Sequence, residues 1–293
     1  MARVSASAWT PIRGKGKVVS QNRSPPSVET RRSEKENAMK PTLVLLILLL
    51  AALSCIAQTT TLYDNFNQRF LNQALWFSVC GGFSVTEECT DVQLGHLHLE
   101  RGQTGNSDTN SGTNYGQATA FFVNPAPIKS ITADIMVLNI DELSCAANPG
   151  FGGHADIIAR FFNAGDGTES DDVGASIIFG RGASNPKGQL YVIGSYFHNG
   201  DFSHTVSLGT VRIGTPVTAT VAWDESNHRF LFSWTNKLTH VTTPGMLSYS
   251  LSDAAPAADP EKHLDVEIFP ANCTATPTWV EADALFDNVY TGQ

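Results

Sequence analysis

From residue 58 onward no segment carries the three-to-four-residue apolar repeat of a helix, while apolar and polar residues alternate in one short run after another. That feature restricts the chain to an all-β architecture. The clearest case is Pro216 to Trp223, then a turn over Asp224 to His228, then Arg229 to Trp234. Successive side chains of a strand point to opposite faces, so Val217, Ala219, Val221 and Trp223 share one face. Phe230, Phe232 and Trp234 share one face of the partner strand. Further strands are expected over Ile131–Ile140, Ala155–Phe162, Ala175–Phe179 and Gln189–Ile193. Many short strands between turn clusters imply two antiparallel sheets packed as a sandwich.

Polar stretches separate these runs. Arg101 to Gly116 is almost wholly Gly, Ser, Thr, Asn and Asp, Asn163 to Asp172 is acidic, and Ser252 to Lys262 is rich in Ala, Pro and Asp. They read as surface loops on a rigid scaffold, where binding functions concentrate. The acidic stretch offers Asp166, Glu169, Asp171 and Asp172, but in no EF-hand pattern, so a solvated turn is expected. No internal repeat or linker divides 58–293, which is read as one domain.

Ahead of it lies an export signal. Met39 and Lys40 precede an apolar run from Thr42 that ends in small residues at Ala57, and cleavage there would leave Gln58 as the new terminus. The run is shorter than the ~20 residues of a membrane span. A second reading makes Leu53-Ser54-Cys55 a lipoprotein box with a lipid anchor on Cys55. Residues 1–38 are basic and rich in Ser and Pro, so they are expected to be disordered, with Met39 as the true start of translation. The expected location is secreted, periplasmic or on the cell envelope.

Charge and cysteines narrow the chemistry. Residues 1–57 hold nine of the 19 Lys and Arg but three of the 28 Asp and Glu, leaving 10 basic and 25 acidic residues in 58–293. An acidic domain excludes nucleic acid as a partner, because phosphates need a basic face. Cys80, Cys89, Cys145 and Cys273 remain after the signal, and an even number in an exported chain implies two disulfides. Cys80–Cys89 and Cys145–Cys273 is the favoured pairing, with two others open. No Cys-x-x-Cys pair suggests zinc.

The ends of the domain resemble a known superfamily. Tyr63-Asp64-Asn65-Phe66 with Leu75-Trp76, then Gly95 to Leu99, then Val221 to Asp224 with Phe230 to Phe232, and finally Ala284 to Val289 follow the strand order of the concanavalin A-like lectin/glucanase superfamily. Its members include jelly-roll sandwiches related to laminin G modules. The resemblance implies a two-sheet antiparallel jelly-roll in which the closing strand lies beside the first, and it describes a fold, not an activity. It also implies a structural calcium ion where those strands meet, with Asp64 and Asp287 as ligands.

Glucan-cutting members carry Glu-x-Asp-x-Glu, three carboxylates on one face of a strand. His263-Leu264-Asp265-Val266-Glu267 is the nearest match here. Asp265 and Glu267 are the catalytic candidates, but His263 stands where the nucleophile would be. A strand with one polar face explains the pattern equally well. His96 and His98 share a face and could chelate a transition metal, although Leu97 and Leu99 filling the core account for that alternation. For a sugar ligand, Trp223 and Trp234 are expected in the core. Asp134, Asp156, Arg160 and Tyr196, with Tyr115 and Phe197, are the ligand-binding candidates on polar faces or loops. No Gly-x-Ser-x-Gly elbow, phosphate loop or dinucleotide fingerprint occurs. The expected function is non-catalytic binding of carbohydrate or another extracellular polymer. The alternatives are a glycoside hydrolase or lyase using carboxylates on the concave face, and a structural or adhesive envelope protein.

Overall fold

The computed structural model describes residues 60–82, 90–104, 115–141, 151–182, 185–199, 201–269 and 279–293. The export signal, Cys55, Cys89, Cys145 and Cys273 lie outside these residues, as does the side chain of Cys80. Among the described residues no helix is long and apolar enough to cross a membrane.

Two antiparallel sheets make a β-sandwich. The first contains β1 (Thr61–Asp64), β3 (Thr90–Gln93), β4 (His96–Thr104), β6 (Ser130–Ile140), β11 (Val217–Asp224), β12 (Arg229–Asn236), β13 (Thr242–Ser248) and β16 (Trp279–Gly292). Its order is β13-β12-β11-β6-β16-β4-β3, with β1 paired to the end of β16. The second contains β2 (Trp76–Gly82), β5 (Gly116–Phe122), β7 (Phe151–Asn163), β8 (Asp172–Gly182), β9 (Gln189–His198), β10 (Asp201–Arg212), β14 (Ala255–Pro256) and β15 (Lys262–Ile268). Its order is β10-β9-β8-β7-β15-β5-β2, and β14 attaches to β7.

The alternation read from the sequence sets which face is buried. Val217, Ala219, Val221 and Trp223 point inward on β11, as do Phe230, Phe232 and Trp234 on β12, all within the core. They meet Ile157, Ala175, Ile177 and Val192 of the second sheet in one continuous cluster. The indole nitrogens are not orphaned by burial: Trp223 Nε1 donates to the Tyr249 hydroxyl at 2.6 Å and Trp234 Nε1 to the Leu208 carbonyl at 2.9 Å. A register shift between Arg160 and Phe162 breaks the alternation on β7, so that Phe161 and Phe162 are both buried.

First and last strands do lie together, Asp64 opposite Val289 and Leu62 opposite Tyr290. The two aspartates there are engaged separately. Asp64 Oδ1 accepts from the Phe66 amide and Oδ2 from Trp76 Nε1, both at 2.9 Å, which fixes the turn where Phe66 adopts φ +48°. Asp287 accepts from the amide and side chain of Asn288 at 2.7 and 2.9 Å. Among the described residues no group of three or more His, Cys, Asp or Glu converges to hold a metal ion. His96 and His98 likewise sit among carboxylates: His98 Nε2 lies 2.8 Å from Asp283 and Nδ1 3.1 Å from Asp91.

Three loop expectations change. Arg101 and Gln103 belong to β4 and are wholly buried, with Arg101 Nη2 donating to Gln103 Oε1 at 3.1 Å. Lys262 opens β15 and is also buried, its ammonium donating to the Arg160 carbonyl at 2.7 Å. The acidic turn is only partly solvated. Asp172 is 3 % exposed and accepts the amides of Ala258 and Asp259, tying that turn to the following loop.

Candidate functional site

β15 lies between β5 and β7, and its alternation divides two environments. Leu264, Val266 and Ile268 go into the core, which sends His263, Asp265 and Glu267 to the outer face of the second sheet. Register then assembles three rows across the strands. Phe121, His263 and Ile158 stand side by side; next come Thr119, Asp265 and Asp156; last come Gln117, Glu267 and His154. An open cleft of about 210 Å³ lies over them, also lined by Arg160, Glu261, Phe197 and Phe202.

The acidic groups are crowded. Asp156 and Asp265 are nearly fully buried and face each other across neighbouring strands. Thr119 Oγ1 donates to Asp265 Oδ2 at 3.2 Å, whereas Asp265 Oδ1 and both Asp156 oxygens receive no hydrogen bond. Burial, and then the charges of Glu267 and Asp156, raise the Asp265 carboxyl well above its ordinary value. Glu267 is pushed up as well, by burial first, with His154 working against the rise.

His154 is the group the sequence reading missed. Its Nε2 lies 3.4 Å from Asp156 and 3.3 Å from Glu267. Burial disfavours its charged form, but the two carboxyls outweigh burial and push it up to about 9, making it an imidazolium at neutral pH. Phe269 stacks on the ring at 5.8 Å. Parity alone places His154 on the face of Asp156; its nearness to Glu267 depends on β15 pairing with β7. Tyr115 supports Glu267 from the other side, donating to Oε1 at 2.9 Å and touching the Gln117 side-chain oxygen.

Aromatic rings border the cleft. Phe121 packs on His263 at 5.0 Å and stacks on the exposed Phe77 at 4.7 Å, while across the sheet Phe197 meets the half-exposed Phe202 at 4.7 Å. Two glycines of β8 allow rings to lie flat over that strand. A Cβ on Gly174 would strike the Phe197 ring, and one on Gly180 would strike Tyr191.

The ligand-binding candidates therefore separate. Asp156 and Arg160 share the cleft face, and Arg160 Nη1 donates to Asp259 at 2.9 Å. Asp134 does not join them. It is on β6 of the other sheet, where its carboxylate accepts from Thr218 and Lys237 at 2.6 Å and Asn288 at 3.0 Å. Tyr196 points into the core against Phe230 and stacks on His204 at 4.3 Å, because it sits opposite Ala175 rather than Ser176. Its neighbour Phe197 faces the cleft instead.

No protein-family model matches the chain, and no curated protein matches it. Solved structures do. Lectin UEA-II in complex with galactose is 14% identical over 78% of this chain and 97% of its own, with a TM-score of 0.39. Lectin I from Ulex europaeus, with the methyl glycoside of α-L-fucose, is 13% identical over 80% and 97%, at 0.43. A LamA variant from Z. galactanivorans, with laminaritriose and laminaritetraose, is 11% identical over 80% and 99%, at 0.47. These chains are similar to this one as two-sheet sandwiches.

Proposed function

We propose that the chain is an exported carbohydrate-binding protein that holds a segment of an extracellular polysaccharide in the cleft over β5, β15 and β7. The observation that carries this reading is the composition of the cleft. Phe121 and Phe197 offer apolar faces at its borders, and Gln117, Arg160, Glu261, His263, Asp265 and Glu267 stand between them. A sugar ring needs both, an apolar face beneath its C–H bonds and polar groups at its hydroxyls. Titration of the purified protein with soluble polysaccharides, followed by calorimetry, tests it. Binding weakened about tenfold by Phe121→Ala or Phe197→Ala is expected. Equal affinity in those variants removes the cleft from the reading.

A second reading, cleavage of the bound chain, is favoured by Asp265 and Glu267. A carboxyl whose pKa is raised by burial stands two residues from a second carboxyl on one strand face, beside an imidazolium. One group donating a proton to the glycosidic oxygen while the other takes one from attacking water is the chemistry such a pair serves. His263 at the third position supplies no carboxylate nucleophile, so direct attack by water is the form this reading takes. Release of reducing ends, lost in Glu267→Gln, would support it; no release from any bound glycan leaves binding alone.

A further inference from the structure

The cleft has an electrostatic asymmetry that bears on which glycans it takes. Glu261, Asp265 and Glu267 line it, with Asp156 beside Asp265 on the neighbouring strand. The cationic groups around them are already paired with carboxylates, two of them with these same acids. Arg160 donates to Asp259 at 2.9 Å, His263 lies 2.9 Å from Glu261 and 3.7 Å from Asp265, and His154 lies between Asp156 and Glu267. Three carboxyl groups, one guanidinium and one imidazole thus line the cleft, and Asp156, Asp259 and His154 stand next to them. Three of the carboxyl oxygens, Oδ1 of Asp265 and both of Asp156, are buried and accept no hydrogen bond, although Asp156 Oδ2 lies 3.4 Å from the His154 imidazole. An unmet acceptor in a buried site favours a ligand that brings N–H or O–H groups and penalises one that brings another acceptor. The field of residues 58–293, with 25 acidic against 10 basic side chains, points the same way at longer range.

Resting on the carbohydrate reading above, we infer that the cleft selects glycans free of acidic groups and prefers those bearing free amines, with polyuronates and sulfated glycans excluded. An ammonium group on a sugar would approach Glu261 and Glu267 as an ion-pair partner and offer donors to the unpaired oxygen of Asp265. A uronate carboxylate would meet acids on every side with no uncommitted cation to receive it.

The test is a set of calorimetric titrations of the purified protein at low and high salt. The probes are glucosamine oligomers, their fully N-acetylated counterparts, a neutral gluco-oligomer, polygalacturonate and heparin. The expected order is glucosamine oligomers first, by about tenfold over the neutral ones, with that margin shrinking as salt rises. Polygalacturonate and heparin should give no heat. In Glu261→Gln combined with Glu267→Gln the glucosamine and neutral oligomers should bind with equal affinity, and an amine preference that persists there would overturn the inference. Acidic glycans bound as tightly as neutral ones would overturn the inference and leave carbohydrate binding standing. The same holds if amines bring no gain. If none of the five probes binds, the carbohydrate reading itself falls.

Discussion

The outward faces of the two sheets carry similar side chains and treat them in opposite ways. On the first sheet Asp134 is met by a hydroxyl, an ammonium and an amide within 3.0 Å, and Asp287 by two donors from Asn288. On the second sheet Asp156 and Asp265 are more deeply buried and three of their oxygens accept no hydrogen bond, with the His154 imidazole 3.4 Å from Asp156 as a counter-charge. Buried carboxyls without donors cost stability, so a face that keeps them side by side forgoes stability that its counterpart retains. The difference teaches where to look for function: satisfied acids hold a sandwich together, and unsatisfied ones wait for a ligand or a proton.

Changing partners on either side tests this contrast. The largest effect is expected at Asp64, a buried acid that has its donors. Trp76→Ala deletes a fully buried indole and strips Asp64 Oδ2 of its partner, and should cost about 3–5 kcal/mol in chemical denaturation. A loss under about 1 kcal/mol would mean that satisfaction of Asp64 does not matter to the fold.

Lys262 is next. Burial lowers its amine to about 7 from 10.5, so between those values the unfolded chain holds a proton that the folded one lacks. Stability from this group therefore rises as pH climbs through that window, by a few kcal/mol in all. Lys262→Met should show a flatter profile there, read from melting temperatures across the window. Parallel profiles would place the amine in water.

Asp265 has the opposite sign. Its raised carboxyl pKa adds stability below 3.8, lost progressively as pH rises above it, so Asp265→Asn should gain on the wild type towards neutral pH and match it in acid. On the ligand side, Glu267→Gln should weaken glycan binding by roughly 1.5–3 kcal/mol, the worth of a hydrogen bond to a charged group. The smallest change is expected at Asp134. Asp134→Asn should lower stability by about 1 kcal/mol and leave glycan affinity untouched. If it weakened binding as much as Glu267→Gln, the division between the two faces would collapse.

Much of the framework was legible in the residues. The inward positions of β11 and β12, the core placement of Trp223 and Trp234, and the shared face of His263, Asp265 and Glu267 all follow from two-residue alternation. Alternation failed where one face does not decide the fold. β10 and β13 run along sheet edges with many exposed positions, and their sequences show little contrast between faces. Arg101 and Gln103 looked like loop because they are polar, yet they lie in β4 with no exposure.

What the sequence determined by itself is therefore local: strands, their turns, and which residues of each strand point together. Strand neighbours were decided by tertiary structure. Asp134 seemed placed to join Asp156 and Arg160, and packing sent it to the other sheet. His154 was one polar residue among many until β15 paired with β7 and set it against Glu267. The physical reason is that parity is a property of the backbone of one strand, whereas register and strand order are settled by long-range burial that no short segment encodes.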